Sequence, residues 1–219
     1  MSQPTHFDAT ARLAPNHIHL WLTEQRGIKT NTFLRKVLSH YLPLHPSQIQ
    51  FARTPNGKPF LKNRKLKDRR FNDLQFNISH SHGKIVCAVS HGLLLGVDIE
   101  NIHRKNKIEE IAERYFHASE IKALQSIKNE EEKRNLFFTL WTCKEAYIKA
   151  IGKTIGTASL DAVRFSREND RVKPQFPLPV QQRWSFHITP VDDLLITVAR
   201  AQRPWQATTK SQISLFVSS

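Results

Sequence analysis

The stretch Asn135 to Ile151 reads as the longest helix in the chain, and it constrains the fold most because it must be packed on something. One side carries Leu136, Phe137, Leu140, Ala146, Tyr147 and Ile148. Glu145 and Lys149, four residues apart, share another face. The natural cover lies upstream, where Gly96-Val-Asp-Ile-Glu100 alternates as a strand does: Val97 and Ile99 to one side, Asp98 and Glu100 to the other. Two neighbouring carboxylates repel unless a cation neutralises them. If the helix packs on this strand, Asp98, Glu100 and Glu145 form an oxygen site suited to Mg²⁺, and Lys149 reaches a phosphate of the same substrate. A blander reading stands beside this one. Glu145 and Lys149 make an ordinary surface pair worth ~0.3–0.5 kcal/mol, and Asp-x-Glu alone fits a solvated strand end.

The hydrophobic period divides the chain near Asn101. Before it, His17–Leu22 alternates as a strand, Thr32–Leu42 shows a helical apolar face with a cap at Thr30, Asn31 or Thr32 and a stop at Pro43, and Ile49–Arg53 and Phe76–Ser79 are short extended pieces. Thr54-Pro-Asn-Gly57 is a turn. Lys84–Ser90 and Leu93–Glu100 suggest a hairpin around His91-Gly92. After it, Ile108–Phe116 is helical, Ser119 caps a further helix, and Leu160–Phe165, Trp184–Thr189 and Leu194–Ala199 read as strands, with a proline-rich connection at Pro174–Pro179. The expectation is an α+β protein of two similar halves, 1–101 and 102–219, each a small sheet packed on one principal helix.

Charge narrows the partners. The net charge is +14, with +8 on residues 1–101 and +6 on 102–219, so it is no detachable basic tail. Such a balance favours an anionic partner: nucleic acid, membrane surface, nucleotide cofactor or acidic protein. The densest run, Lys62–Arg70, is a solvated loop or a docking surface. No apolar run approaches a membrane span. Met1–Asp8 lacks the basic start and apolar stretch of a secretory leader, and Cys87 and Cys143 both sit in apolar runs, so a cytoplasmic protein with two free buried thiols is expected.

Two further segments carry chemistry. Arg53-Thr-Pro-Asn-Gly-Lys-Pro59 is a turn with cations at both ends, able to present backbone N–H groups and Lys58 to a phosphate. Asn77-Ile-Ser-His-Ser-His82 offers an amide, hydroxyls and imidazoles. His80 and His82 lack the companion ligands of a zinc site. The glycine-rich signatures of nucleotide hydrolases and dinucleotide enzymes are absent.

Together Gly57-Lys58-Pro59, Phe76-Asn-Ile-Ser-His-Ser81, Gly96-Val-Asp-Ile-Glu100, Arg114-Tyr-Phe116 leading to Glu120, and Trp141-x-x-Lys144-Glu145-Ala146-x-x-Lys149 resemble, in order and spacing, the 4′-phosphopantetheinyl transferases of the Sfp type. The resemblance covers roughly residues 49–165. It implies two pseudo-symmetric α/β halves with the active site in the cleft between them. It also implies transfer of the phosphopantetheine arm of coenzyme A to a serine of an acidic apo carrier protein, releasing adenosine 3′,5′-bisphosphate. By the same resemblance Asp98, Glu100 and Glu145 hold Mg²⁺, and Arg53, Lys58, Ser79, His80, Asp98 and Lys149 contact coenzyme A. Glu145 or a metal-bound water takes the serine proton, and Lys149, with Lys144, meets transition-state charge. Thr23–Asn31 is shorter than the corresponding helical region of that family, and Arg26 and Lys29 are the basic residues within it. Trp141 is expected to fix the helix by packing. Since the chain carries both halves, a monomer is expected. The readings from other classes are a basic nucleic-acid-binding protein, which lacks any recognition signature here, and a metal-dependent nuclease.

Overall fold

The structure is a computed structural model that describes residues 13–14, 17–62, 73–92, 94–168, 171–175, 183–202 and 212–218. The Lys62–Arg70 run beyond Lys62 and the proline-rich connection beyond Gln175 lie outside these residues. Two sheets carry the architecture. The first has four strands in the order β11 (Gln212–Ser218), β1 (His17–Glu24), β5 (Lys84–His91), β4 (Leu74–Ser81). The second has three, β6 (Leu95–Asn101), β10 (Leu194–Gln202), β9 (Arg183–Val191). Within them only β1 and β11 run parallel. Among the described residues there are also two small antiparallel pairs, β2 (Phe51–Arg53) with β3 (Pro59–Leu61) and β7 (Arg164–Glu168) with β8 (Arg171–Gln175).

The layers follow from which residues alternate inward. Ile18, Leu20, Leu22, Val86 and Ala88 of the first sheet meet Val97, Ile99, Ile196 and Val198 of the second in one buried cluster, so the sheets pack face to face. The first sheet's outer face, with Trp21, Ile85, Cys87 and Val89, is covered by α1 (Thr30–Leu38) through Phe33, Leu34, Val37 and Leu38. The second sheet's outer face is covered by α4 (Glu130–Ala150), flanked by α2 (Ile108–Tyr115) and α3 (Ala118–Ser126). This is the expected α+β arrangement of two sheets, each with a principal helix. Sheet pairing crosses residue 101 twice: β6 joins β10, and β11 returns to β1. Cys87 and Cys143 are free and buried, and burial pushes both thiols up. Among the described residues no helix is long and apolar enough to cross a membrane.

Three local expectations are corrected. The hairpin around His91-Gly92 does not form. β5 pairs with β4 through the His82-Gly83 turn, where both residues have positive φ, and with β1 on its other side. Both ladder edges of β5 are therefore taken, and the chain passes into the other sheet. The long helix begins at Glu130 rather than Asn135, because Asn129 Oδ1 accepts from the N–H groups of Glu131 and Glu132 at 2.9 and 3.0 Å and three glutamates face the N-terminal dipole. Finally, α3 is capped by His117, whose Nδ1 accepts from Ser119 N, rather than by Ser119 itself.

One glycine fixes how close α4 lies to the sheet. Gly96, Asp98 and Glu100 project from the face of β6 opposite Val97 and Ile99, toward α4. A Cβ built on Gly96 would lie 2.0 Å from Ala146 O and 2.4 Å from Ala150 N, so the helix backbone rests directly on β6. Thr142 and Thr197 add a buried hydroxyl–hydroxyl hydrogen bond of 2.7 Å between α4 and β10. The methyl of Gly96→Ala therefore meets backbone that cannot rotate away. This variant should lose about 3 kcal/mol or more in a denaturant titration; a wild-type midpoint would contradict the close packing.

Candidate active site between β4, β6 and α4

The apposition of β6 and α4 brings Asp98, Glu145 and Lys149 together. Lys149 Nζ donates to Asp98 Oδ1 at 2.6 Å and to Ser79 Oγ at 3.0 Å, and stands 3.9 Å from Glu145 Oε2. Asp98 is only 3% exposed and Glu145 8%, so both carboxylates have lost most of their water. Burial first, then the neighbouring Asp98 charge, raise the Glu145 carboxyl to about 7 against the pull of Lys149. Burial alone would depress Lys149, but attraction to Asp98 and Glu145 outweighs it and holds the ammonium above its ordinary value. Ser79 Oγ also donates to Asp98 Oδ1, at 3.0 Å, while Asp98 Oδ2 is buried without a hydrogen-bond partner among the described residues.

β4 presents its polar side to β6. Asn77 Oδ1 accepts from Val97 N at 2.9 Å, Ser79 reaches Asp98, and Ser81 Oγ donates to Glu100 Oε2 at 3.0 Å. These three side-chain bonds, in parallel register, join the edges of the two sheets. They also explain why this strand is polar at every second residue. Glu100 lies on the same face as Asp98 but is engaged by Ser81 and by Arg104 Nη1 at 3.3 Å. Its charge still reaches Glu145 and Lys149. As arranged, no three His, Cys, Asp or Glu side chains among the described residues are gathered closely enough to ligate a metal. The donor chemistry nevertheless suits a hard cation: carboxylate oxygens only, one of them buried without a partner, around a single ammonium.

A cleft of about 570 Å³ opens beside this cluster, lined by Glu145, Lys149, Asn77, His80, Arg53 and Lys153 among others. His80 is exposed in it. Arg53 Nη1 donates to Gly57 O at 2.8 Å across its own turn. Lys58 also borders the cleft, but its ammonium is bound to backbone, Ala150 O at 2.7 Å and Leu95 O at 3.2 Å, and burial lowers it to about 8. With Asn56 Nδ2 donating to Gly152 O at 2.9 Å, it ties the β2–β3 turn to the C-terminal end of α4. Sequence reasoning missed Asn77, although its place in the Asn-Ile-Ser-His-Ser run was visible, and Lys153, which has no local signature.

Lys144 is corrected. It sits next to Glu145 in sequence, but one residue along a helix turns the side chain by about 100°, and the structure buries Lys144 completely on the far side. Its ammonium is 2.9 Å from Glu120 Oε2 and donates to Leu160 O and Val163 O. Glu120 in turn accepts from Phe165 N and His117 N, both at 2.8 Å. All three ammonium protons are used, so Lys144 meets no substrate charge. It locks α4 to α3 and β7. Trp141 packs as expected, against Phe137 and Tyr115.

A family model described as the 4′-phosphopantetheinyl transferase superfamily matches residues 94–199, and one described as a 4′-phosphopantetheinyl transferase N-terminal region matches 24–92. The chain is 35% identical over 187 residues to the 4′-phosphopantetheinyl transferase HetI of Nostoc sp., covering 84% of this chain and 72% of that one. It is 40% identical over 129 residues to the transferase gsp of Aneurinibacillus migulanus and 34% over 128 residues to Sfp of Bacillus subtilis, spanning 48% and 52% of those proteins. A solved holo-(acyl-carrier-protein) synthase from Bacillus anthracis in complex with CoA (3′,5′-ADP) matches 51% of this chain at 18% identity and TM-score 0.42, too slight a likeness to bear on the site.

Lys144→Met or Glu120→Gln leaves the other partner buried and unpaired and should cost about 3–5 kcal/mol, whereas the paired change Lys144→Met with Glu120→Leu should cost less than either; additive losses in chemical denaturation would refute the pairing. In metal-free buffer the folded value of Glu145, about 7, lies above its ordinary 4.5. Its contribution to stability is thus full below about 4.5 and is lost as pH rises through about 7. Melting curves of wild type minus Glu145→Gln should show that fall and no other; a flat difference would contradict it.

Proposed function

We propose, since the chain belongs to the 4′-phosphopantetheinyl transferase superfamily, that it moves the phosphopantetheine arm of coenzyme A onto a serine hydroxyl of an apo carrier protein. The observation that carries the assignment to this cleft is the buried Asp98–Lys149–Glu145 cluster at its wall. In the reaction the serine oxygen bonds to the pyrophosphate phosphorus on the pantetheine side. The bond from that phosphorus to the bridging oxygen breaks, and adenosine 3′,5′-bisphosphate leaves with the electron pair. Glu145, whose side chain lines the cleft, takes the serine proton. Lys149, whose side chain borders the cleft, stabilises the charge that accumulates on the phosphate oxygens. His80, Arg53 and Lys153 bind the remaining phosphates from the cleft wall. Ser79 orients Asp98 and Lys149, and Lys58 contributes to coenzyme A binding by holding the β2–β3 turn in place.

Asp98, Glu100 and Glu145 are the residues that would hold Mg²⁺, which when bound supplies Lewis-acid neutralisation of the pyrophosphate and the departing bisphosphate. Glu100 is at present engaged by Ser81 and the exposed Arg104, contacts that metal binding would have to replace. The +14 charge suits an acidic carrier partner, whose encounter it steers. One chain supplies β4, β6 and α4, which supports a monomer, and the free buried cysteines support a reducing cytoplasmic setting.

Incubation with coenzyme A, Mg²⁺ and an apo carrier protein should give a covalent phosphopantetheine adduct by intact mass. Asp98→Ala should reduce its rate by at least about a hundredfold while the circular dichroism spectrum is retained. No adduct on any of several carriers would refute the transferase reading for this chain; wild-type turnover in the variant would refute the site.

A further inference from the structure

Asp98 and Glu145 are buried acids beside one cleft, which Glu145 and Lys149 line, and the ammonium of Lys149 stands 2.6 Å from Asp98 and 3.9 Å from Glu145. Resting on the metal assignment above, we propose that Lys149 is a built-in counter-cation that competes with the divalent metal for Asp98, so that metal entry releases Lys149 into the cleft. The geometry makes the two occupants exclusive. Asp98 Oδ1 already takes hydrogen bonds from both Lys149 and Ser79. A divalent cation held by Asp98 and Glu145 would compete with the ammonium that already stands beside both, and a dication and an ammonium that close repel strongly in a buried setting. Asp98 Oδ2, buried and without a partner, is the group the ammonium fails to satisfy. It gives a metal with several coordination positions an advantage over a single ammonium.

The exchange serves two purposes. Before metal arrives, Lys149 keeps two desolvated carboxylates from facing each other unscreened, which would otherwise spread β6 from α4. After metal arrives, the ammonium is displaced on a flexible stem that already borders the cleft, where a phosphate is the available acceptor. Phosphate binding by Lys149 is thereby coupled to metal occupancy, and by reciprocity a ligand that draws Lys149 away strengthens metal binding. Lys144, five residues earlier on the same helix, cannot take this part because Glu120 and two carbonyls hold all its protons.

The test is Mn²⁺ binding without coenzyme A, read from the free-Mn²⁺ paramagnetic resonance signal, on wild type, Lys149→Met and Asp98→Asn. Lys149→Met should bind Mn²⁺ about tenfold more tightly than wild type, and Asp98→Asn more weakly. Metal-free Lys149→Met should melt below wild type and gain more from added Mn²⁺. If Lys149→Met binds no better than wild type while Asp98→Asn still loses binding, the competition is overturned and the metal site stands. If neither wild type nor Lys149→Met binds, or Asp98→Asn binds like wild type, both fall. Should Lys149→Met fail to fold without metal, Lys149→Gln, which retains a donor to Ser79, carries the same comparison.

Discussion

The contact of the α4 backbone with β6 at Gly96 is the constraint on which the rest depends. With any side chain at that position the helix would ride higher on the sheet, and Lys149 could not sit 2.6 Å from Asp98. The small residues Ala146 and Ala150 complete the approach from the helix side. The site is thus a consequence of packing: a strand that alternates Gly96, Asp98 and Glu100 toward a helix, and a helix that presents Glu145 and Lys149 four residues apart over it.

The helix bears two buried lysine–carboxylate systems on different sides, and they differ in the way that separates structure from chemistry. Around Lys144 and Glu120 every proton and lone pair of consequence is matched, and the pair is sealed from solvent. Around Lys149 the charges are unequal, one carboxylate oxygen has no partner among the described residues, and the cluster borders an open cleft. A fully satisfied network stabilises one arrangement; an unbalanced one beside a cleft is poised for a ligand. The polar residues of β4 have a comparable double task. They join two sheet edges that share no backbone ladder, and the same Ser79 that does so also touches both Asp98 and Lys149.

Much of this was legible in the sequence. Period and alternation located α1, α4, β1, β5, β6, β9 and β10, because each buries an apolar face over enough residues to leave a pattern. The Asp98–Glu145–Lys149 juxtaposition was legible as well, since a strand and a helix that each divide into an apolar and a charged face have few ways to meet. Other features were not. The true partner of β5 could not be read because a two-residue turn at His82-Gly83 and one at His91-Gly92 look alike locally, and only the competition for ladder edges decides between them. The return of β11 to β1 depends on a pairing nearly the length of the chain apart.

The sequence by itself determined the class of protein, the two-sheet α+β plan and the candidate residues for a site, because these rest on local periodicity and on short motifs in a fixed order. Tertiary structure alone decided how those residues divide their work. Adjacent Lys144 and Glu145 face opposite ways, Lys58 spends its ammonium on the carbonyls of Leu95 and Ala150, and Glu100 is engaged by Ser81 and Arg104. The physical reason is that a side chain's role is set by its desolvation and by the partners within hydrogen-bond reach. Both depend on residues distant in the chain that only packing brings within a few ångströms.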